Sequence, residues 1–477
     1  MTKRISRKSF AARLERLTDE LRRRIMDGTY AEGDFLPSES SLAKQFELSN
    51  NSVRKGLDTL AAEGLIVKLD KVGSRVTAPA VRPKTTITII CMPSIERDLE
   101  FSRLLEDFHK LHPSIHVKPV AWSMLDSSLR SSPLDTIRTY LEDGTADLIT
   151  INHNHFIQII ENGCADLLEP LDYAEGTYRF LTDAFSADGK LYAQPVVFSP
   201  VVLCYNKDHF AEAGLPEPDS GWTWERLIDA AEKLTVPGSR HGFHFYQVSE
   251  NRWPLFLLQG GKRRGSPDEP DWERMMDGID LCGAIIQNRH AFPPYLSESE
   301  PEASQLFISG KISMQLATYN SLNDMKHSAV RYDIAPLPYI DAPATLLIAI
   351  GLMASRRSKA KEAVKLFVDY TASVKAQQWI RSRTLTVPAC KPVAEAPPQE
   401  DTGLNRPQHD QIFREIMPSY RWHTDLGVPI RLLGALHHPL KLYWSEMIDR
   451  QTLLSELRRL RPASGQDEEA KADRPLA

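Results

Sequence analysis

The sequence predicts two fold classes in succession, a small α+β head and a larger α/β body. Residues 36–66 hold two short apolar-striped segments with a polar break between them, followed by a strand pair. From Thr86 onward, apolar runs alternate between the strand and the helix period. Charge divides at the same place. Residues 1–84 carry 17 Lys plus Arg against 11 Asp plus Glu, a net of +6 in a chain whose total is −5, which leaves −11 on the remainder. A basic head on an acidic body fits phosphate contact confined to one end. With 477 residues the chain has room for two or three domains with separate cores.

In chain order, Leu14, Leu17, Leu21 and Ile25 recur at three and four residues and predict an amphipathic first helix, with Arg22, Arg23 and Arg24 on its outer sides, either against phosphates or in solvent. Leu42, Ala43 and Phe46 predict a short second helix that Ser38 caps, with Glu39 in its first turn. Glu47-Leu48-Ser49-Asn50 breaks the pattern. Val53, Leu57, Leu60 and Ala61 then form one face of a third helix, with Asn50, Asn51, Arg54 and Lys55 projecting from its start and Gly64 as its stop. Strands over Leu65–Leu69 and Arg75–Ala78 follow, turned at Lys71–Ser74. A helix that buries one face and offers amides, hydroxyls and cations at its N-terminal end suits a DNA major groove, where those groups meet base edges and phosphates.

The pieces LPSES (Leu36–Ser40), Leu42-Ala43, LSNNSVR (Leu48–Arg54), LAAEGL (Leu60–Leu65) and KVGSRV (Lys71–Val76), with DGTYAEGDFLP (Asp27–Pro37) leading in, resemble the winged helix-turn-helix of GntR-type bacterial transcription regulators over residues 10–78. The resemblance implies contacts to double-stranded DNA from Ser38, Glu39, Ser40, Ser49, Asn50, Asn51, Ser52 and Arg54, with Lys55 beside them and wing contacts near Gly73 and Arg75. Many members have a basic residue where this chain has Ser40 and an arginine where it has Asn50, so the base preference should differ. At the wing, Gly73 stands where the family often has two glycines, with Lys71 at the other position. Such heads work as dimers on palindromic operators, so a homodimer is expected.

The segment Pro79–Lys84 reads as a semi-rigid linker, giving a head over 1–78, a linker over 79–85 and a body over 86–461. In the body, Ile87, Ile89 and Ile90 mark a strand, and Phe101, Leu104, Leu105, Phe108 and Leu111 a helix. Val117 and Val120 mark a strand, Ile137, Tyr140 and Leu141 a helix, and Asp147–Ile151 another strand. Ligands in such sheets bind beyond the carboxyl ends of strands, which puts Asn152, His153 and His155 at a candidate cleft edge. Met1–Ser9 is basic, but no apolar stretch of a secretory signal follows, and no run approaches the roughly 18 apolar residues of a membrane helix, so a cytoplasmic location is expected. Cys91, Cys164, Cys204, Cys282 and Cys390 show no paired short spacing and read as reduced core thiols.

ADGKLYAQPVVFSPVVLCYNKDHFAEAGL (Ala187–Leu215), Trp222-Thr223-Trp224, the helix Glu225–Leu234, LFISGKISM (Leu306–Met314), YDIAPLP (Tyr332–Pro338) and Ala363–Gln378 with Val387-Pro388-Ala389 resemble, in order, the ABC-transporter extracellular solute-binding proteins of family 1, the sugar type. This implies a periplasmic-binding-protein-like two-lobed α/β fold (type II), with crossing strands between lobes that close on a sugar; joined to a DNA-binding head, it implies sensing and not transport. Sugar faces pack their C–H groups on aromatic rings, and the hydroxyl rim needs amides, carboxylates and hydroxyls. Candidates in matching places are Tyr319 and Asn320 after a strand over Ile312–Leu316, Tyr246 and Trp253 after Phe243–Phe245, and Trp122, Asn152, His153 and Ser199. Trp222 and Trp224 are assigned to packing, flanking Thr223 as the cap of the helix that follows.

Other chemistries find less support. His153 and His155 stand two apart without a carboxylate at helical spacing, so no metal site is expected. No P-loop or GxGxxG opens a helix, and no carboxylate pair is singled out for glycoside hydrolysis. A pyridoxal-phosphate aminotransferase-like body is the enzyme-class alternative; SRRSK (Ser355–Lys359) resembles its lysine turn by composition alone. A body that only dimerises is the other. Pro392–Gly403 reads as a loop, Ile412–Met417 and Leu432–Leu457 as the last helices of the second lobe, and Pro462–Ala477 as a disordered tail. The chain is expected to be a ligand-controlled regulator without catalytic residues or cofactor.

Overall fold

The computed structural model describes residues 7–26, 29–70, 72–77, 85–122, 133–260, 270–293, 299–397 and 403–460. Two compact units emerge, Met1–Thr85 and Thr86–Ala477. Lys71, residues 78–84 of the expected second wing strand and linker, and the expected tail 462–477 lie outside the described residues.

In the head, α1 (Arg7–Met26), α2 (Glu39–Phe46) and α3 (Asn50–Ala62) precede a hairpin of β1 (Ile66–Leu69) and β2 (Gly73–Val76). Leu17, Leu21 and Ile25 of α1 meet Leu42 of α2 and Val53, Leu57 and Leu60 of α3 in one core, which the 3.6-residue period of each segment foretells. Gly56 lets α1 and α3 approach: a Cβ there would lie 3.1 Å from the Leu17 side chain and 3.3 Å from Leu14. Gly64, at φ 71°, takes the left-handed conformation that ends α3. The hairpin pairs Leu69 with Gly73 and Ile66 with Val76, so Gly73 and Ser74 belong to the second strand and not to the turn as expected.

In the body, strands Ile115–Ala121, Thr85–Cys91 and Leu148–Asn152 form a first-lobe sheet whose last member pairs antiparallel with Thr345–Ala354. Strands Ile312–Thr318, His241–His244 and Tyr332–Ala335 form the second-lobe sheet. One strand, Ala193–Asn206, serves both. Its residues 193–200 pair with Thr345–Ala354, and residues 201–206 pair with Ile312–Thr318 and Tyr332–Ala335. All 14 of its residues are buried, as a strand covered on both faces requires. Helices Phe101–Leu111 and Lys361–Ala372 cover one face of the first-lobe sheet. Trp224–Leu234, Trp272–Gln287, Leu433–Trp444 and Arg450–Arg459 pack in the second-lobe core.

Several boundaries differ from the sequence reading. Leu111, expected on the buried face, is 47% exposed because it is the last residue of its helix. The stretch Pro392–Gly403 is not all loop: Lys391–Ala394 makes one helical turn. Ile412 and Phe413 begin a helix of only four residues and pack in the cluster that joins Phe198 and Val387 to the second-lobe side chains Ile312, Tyr319 and Tyr332.

Gly278 is where helices Pro254–Gly260 and Trp272–Gln287 touch, and a Cβ there would fall 1.8 Å from the Phe256 carbonyl oxygen. Gly278→Ala is expected to cost about 1–3 kcal/mol through forced separation of the two helices, read as a lower midpoint in thermal or urea unfolding. Gly434→Ala meets nothing nearer than Glu250 at 3.8 Å and is expected to be neutral or stabilising by up to about 1 kcal/mol.

Candidate functional site

The head presents its polar groups around the start of α3. Ser49 caps that helix, its hydroxyl accepting from the Ser52 N–H at 3.2 Å. Asn50, Asn51, Arg54 and Lys55 are all exposed beyond it. The cap of α2 stands alongside: Ser38 accepts from the Ser41 N–H at 3.2 Å and lies 3.0 Å from the Ser40 hydroxyl. Glu39 ties the two helices together by accepting from Arg54 Nε at 2.7 Å. Thus the structure brings Ser38, Glu39, Ser40, Ser49, Asn50, Asn51, Arg54 and Lys55 to one surface, while Gly73 and Arg75 are exposed on the hairpin.

Ser52 is a correction. It is 5% exposed and spends its hydroxyl on Ser49 Oγ at 2.7 Å, so it steadies the cap and does not face a ligand. The arginines of α1 are accounted for within the head: Arg22 pairs with Glu63 and Asp19, and Arg23 and Arg24 pair with Glu20.

In the body, the carboxyl ends of the first-lobe strands carry Trp122 and Asn152. Asn152 ends one strand and caps the helix His153–Glu161 by accepting from the His155 N–H at 2.9 Å. That cap turns His153 inward onto Trp422, with ring centroids 4.2 Å apart, while His155 lies 5.5 Å from Trp122. Against these residues packs the segment that includes Trp422 and His423. Its strand Tyr420–Arg421 pairs with Thr345-Leu346, and His423 Nε2 contacts the Glu250 carbonyl of the second lobe at 2.9 Å.

Burial depresses all three imidazoles. His153 falls to about 3, helped by the nearby His423, and His155 and His423 fall to about 4. At neutral pH they are uncharged rings. Nδ1 of each is buried with no hydrogen-bond partner, an arrangement that costs free energy until a water or a ligand polar group supplies one.

The remaining candidates divide. Ser199 accepts from the Asn320 N–H at 3.1 Å, and Asn320 Oδ1 is buried without a partner. Tyr246 is half-buried, its hydroxyl pushed up by burial and by Glu300 and Glu302. Tyr319 and Trp253 are corrections. Tyr319 is 1% exposed, its hydroxyl donating to the Asp410 carbonyl at 2.9 Å and accepting from the Phe413 N–H at 3.1 Å. Trp253 is fully buried and stacked on His437 at 5.7 Å. Both rings pack the core in this conformation. Trp224, assigned to packing, donates Nε1–H to Gln259 at 2.7 Å, and Thr223 caps its helix as expected. Trp422 and His423 were missed because no apolar period runs through 418–431. Their one sequence signal is an aromatic pair flanked by Tyr420 and Asp425 in a stretch with no helix or strand pattern.

This geometry defines a two-lobed binding-protein body behind a winged-helix head. Residues 93–378 match the bacterial extracellular solute-binding proteins, and residues 13–76 match the gntR family of bacterial regulatory proteins. The chain belongs to the solute-binding protein family and carries a gntR-type head, so the body is not aminotransferase-like. A Brucella abortus binding protein is 24% identical over 292 residues, 57% of this chain and 67% of that protein. The sn-glycerol-3-phosphate-binding periplasmic protein UgpB of Escherichia coli is 25% identical over 257 residues, 49% of this chain and 56% of its own length. Among solved structures, maltose-bound T. maritima MalE3 superposes with a TM-score of 0.64 at 18% identity, covering 78% of this chain and 97% of that one. The Listeria monocytogenes substrate-binding protein Lmo0181 with cycloalternan gives 0.62 at 20% identity, with the same coverage. At these identities the likeness is one of fold.

The depressed imidazoles set a pH dependence. A histidine whose folded value lies below its unfolded one stabilises the fold fully above the unfolded value near 6.5 and loses that contribution as pH falls toward the folded value. Thermal midpoints should therefore drop between pH 6.5 and about 4, and the His153→Gln, His423→Gln pair should flatten that slope relative to the parent.

Proposed function

We propose that the chain is a DNA-binding transcription regulator of the cytoplasm whose body senses a sugar or oligosaccharide, lobe closure on the ligand altering how a homodimer engages a palindromic operator. The observation that carries this is the joining, in one chain, of a capped helix presenting Asn50, Asn51, Arg54 and Lys55 to a body whose inter-lobe junction sets indole rings beside three unpartnered imidazole nitrogens. Rings receive the C–H face of a pyranose, and each neutral imidazole nitrogen can donate to or accept from a hydroxyl. The cycloalternan and maltose held by the structural neighbours support the same chemistry.

The ligand sites on this reading are Trp122, Asn152, His153 and Trp422, with Ser199, Asn320 and Tyr246 farther along the junction. The burial of Tyr319 and Trp253 favours a second reading, a body that only dimerises. A thermal-shift panel of mono- and oligosaccharides separates the two, since a ligand at a hundred times its dissociation constant stabilises the native state by about 2.7 kcal/mol. The sensor reading expects a shift with one sugar class that Trp422→Ala abolishes while operator binding persists; a flat panel favours the dimerisation body.

On the DNA side, Arg54→Ala is expected to weaken operator binding across sequences and to reduce the slope of log affinity against log salt by about one. Fluorescence anisotropy at several salt concentrations reads it, and an unchanged slope would remove Arg54 from the phosphate contacts.

A further inference from the structure

His423 donates Nε2–H to the Glu250 carbonyl at 2.9 Å, and because burial keeps the ring uncharged at neutral pH, its Nδ1 carries the lone pair. His153 is set the same way. Its ring bonds the Ala184 carbonyl, and since Nδ1 is the nitrogen without a partner, Nε2 is the donor. Both Nδ1 atoms are therefore acceptors.

Two further acceptors along the junction are in the same condition. Asp98 gives Oδ1 to Arg97 Nε at 2.8 Å, while its Oδ2 is buried with no hydrogen-bond partner among the described residues. Asn320 Oδ1 is likewise buried and unpartnered. Asp98 and Asn320 are 1% and 5% exposed, so solvent at the surface does not supply what they lack. A chain of contacts joins them to the histidines: Arg252, two residues beyond Glu250, binds Glu300, and Glu300 shares Arg97 with Asp98. From there the Asp98 carbonyl accepts from the Thr386 hydroxyl at 2.8 Å, and Asn323 donates both to that hydroxyl at 2.8 Å and to the Asn320 carbonyl at 3.0 Å. The helix Ile95–Leu99, which carries Asp98, follows the carboxyl end of the strand Thr85–Cys91, where open α/β sheets take ligands.

The charged donors of this region are already engaged. Arg97 lies 2.8 Å from Asp98, 3.2 Å from Glu300 and 3.6 Å from Asp324; Arg252 also donates to the Leu316 carbonyl at 3.2 Å, and Lys326 pairs with Glu100 at 2.8 Å. Three cations here meet four carboxylates. A buried acceptor is satisfied only by a donor, so a hydroxyl, or the water it displaces, fits where a phosphate or carboxylate would set lone pair against lone pair. Such an anion would also have to draw a cation from the carboxylate it serves.

We propose that the junction selects its ligand by hydrogen-bond donors: it takes an uncharged, polyhydroxylated molecule on His153 Nδ1, His423 Nδ1, Asn320 Oδ1 and Asp98 Oδ2, and rejects phosphate esters and sugar acids of the same skeleton. Asp98 is the contact this adds. The inference rests on the sensor reading above and narrows it to the free sugar, so the signal is the molecule that precedes any phosphoryl transfer to it.

Titration calorimetry on the full chain with matched pairs tests this: maltose beside maltose 6′-phosphate, trehalose beside trehalose 6-phosphate, glycerol beside sn-glycerol 3-phosphate and galactose beside galacturonate. At least one neutral member is expected to bind, with its charged counterpart at least about a hundredfold weaker. Asp98→Asn offers donors as well as an acceptor, and should weaken the neutral member about tenfold while narrowing the ratio within the pair, which general damage to the fold would leave unchanged. Asn320→Ala gives the same two readings if Asp98→Asn fails to fold. With no ligand present, nitrogen-15 NMR should show Nε2–H tautomers for His153 and His423, and Nδ1–H would overturn the acceptor assignment. A charged member binding as tightly as its neutral counterpart, or variants that leave the ratio unchanged, would overturn selection by donors and leave the sensor reading in place. Binding by no member would remove the sensor reading and this inference with it.

Discussion

Everything in the body depends on the strand Ala193–Asn206 being shared. Its first half is hydrogen-bonded into one sheet and its second half into another, so the two lobes cannot exchange partners or separate fully without breaking a buried ladder. Val196 and Val197 sit in one core, Val201, Leu203 and Tyr205 in another, and Phe198, Val202 and Cys204 in the cluster that joins them. Its partner Thr345–Ala354 shifts register between Ile350 and Gly351. Hinge bending about a few crossing strands is the repertoire such a connection permits.

The polar groups of the junction acquire their meaning from that constraint. A buried imidazole nitrogen without a partner would be a defect in a rigid core. On the sensor reading proposed above, a ligand hydroxyl or a water entering there would supply the missing partner. His153 follows a first-lobe strand, and His423 contacts the Glu250 carbonyl of the second lobe.

Much of this was legible in the sequence because the relevant signals were local. The head core follows from Leu17, Leu21, Ile25, Leu42, Val53, Leu57 and Leu60 falling at helical spacing, and the strand ends that bear Asn152 follow from apolar runs bounded by polar residues. What local pattern could not supply was which way a ring points. Tyr319 follows its strand as expected, but the chain returning through Asp410 and Phe413, some 90 residues later, covers it and uses its hydroxyl. Trp253 is claimed in the same way by His437. Trp422 and His423 were illegible for the converse reason: the residues that meet them are distant in sequence, and their own stretch has no period. Ser52 shows the limit at short range, since a hydroxyl in a recognition segment reads alike whether it meets a phosphate or its neighbour's cap.

For a small molecule in the body to change what the head does to DNA, a coupling free energy must link the two sites. The most direct measurement is the affinity of the full chain for its operator duplex, selected from random sequence, with and without a saturating amount of the sugar that gives the largest thermal shift. The expected change is between about five- and 150-fold, the range of typical coupling, with an equal change in sugar affinity when the operator is saturating. Equal operator affinity with and without a bound sugar would contradict it.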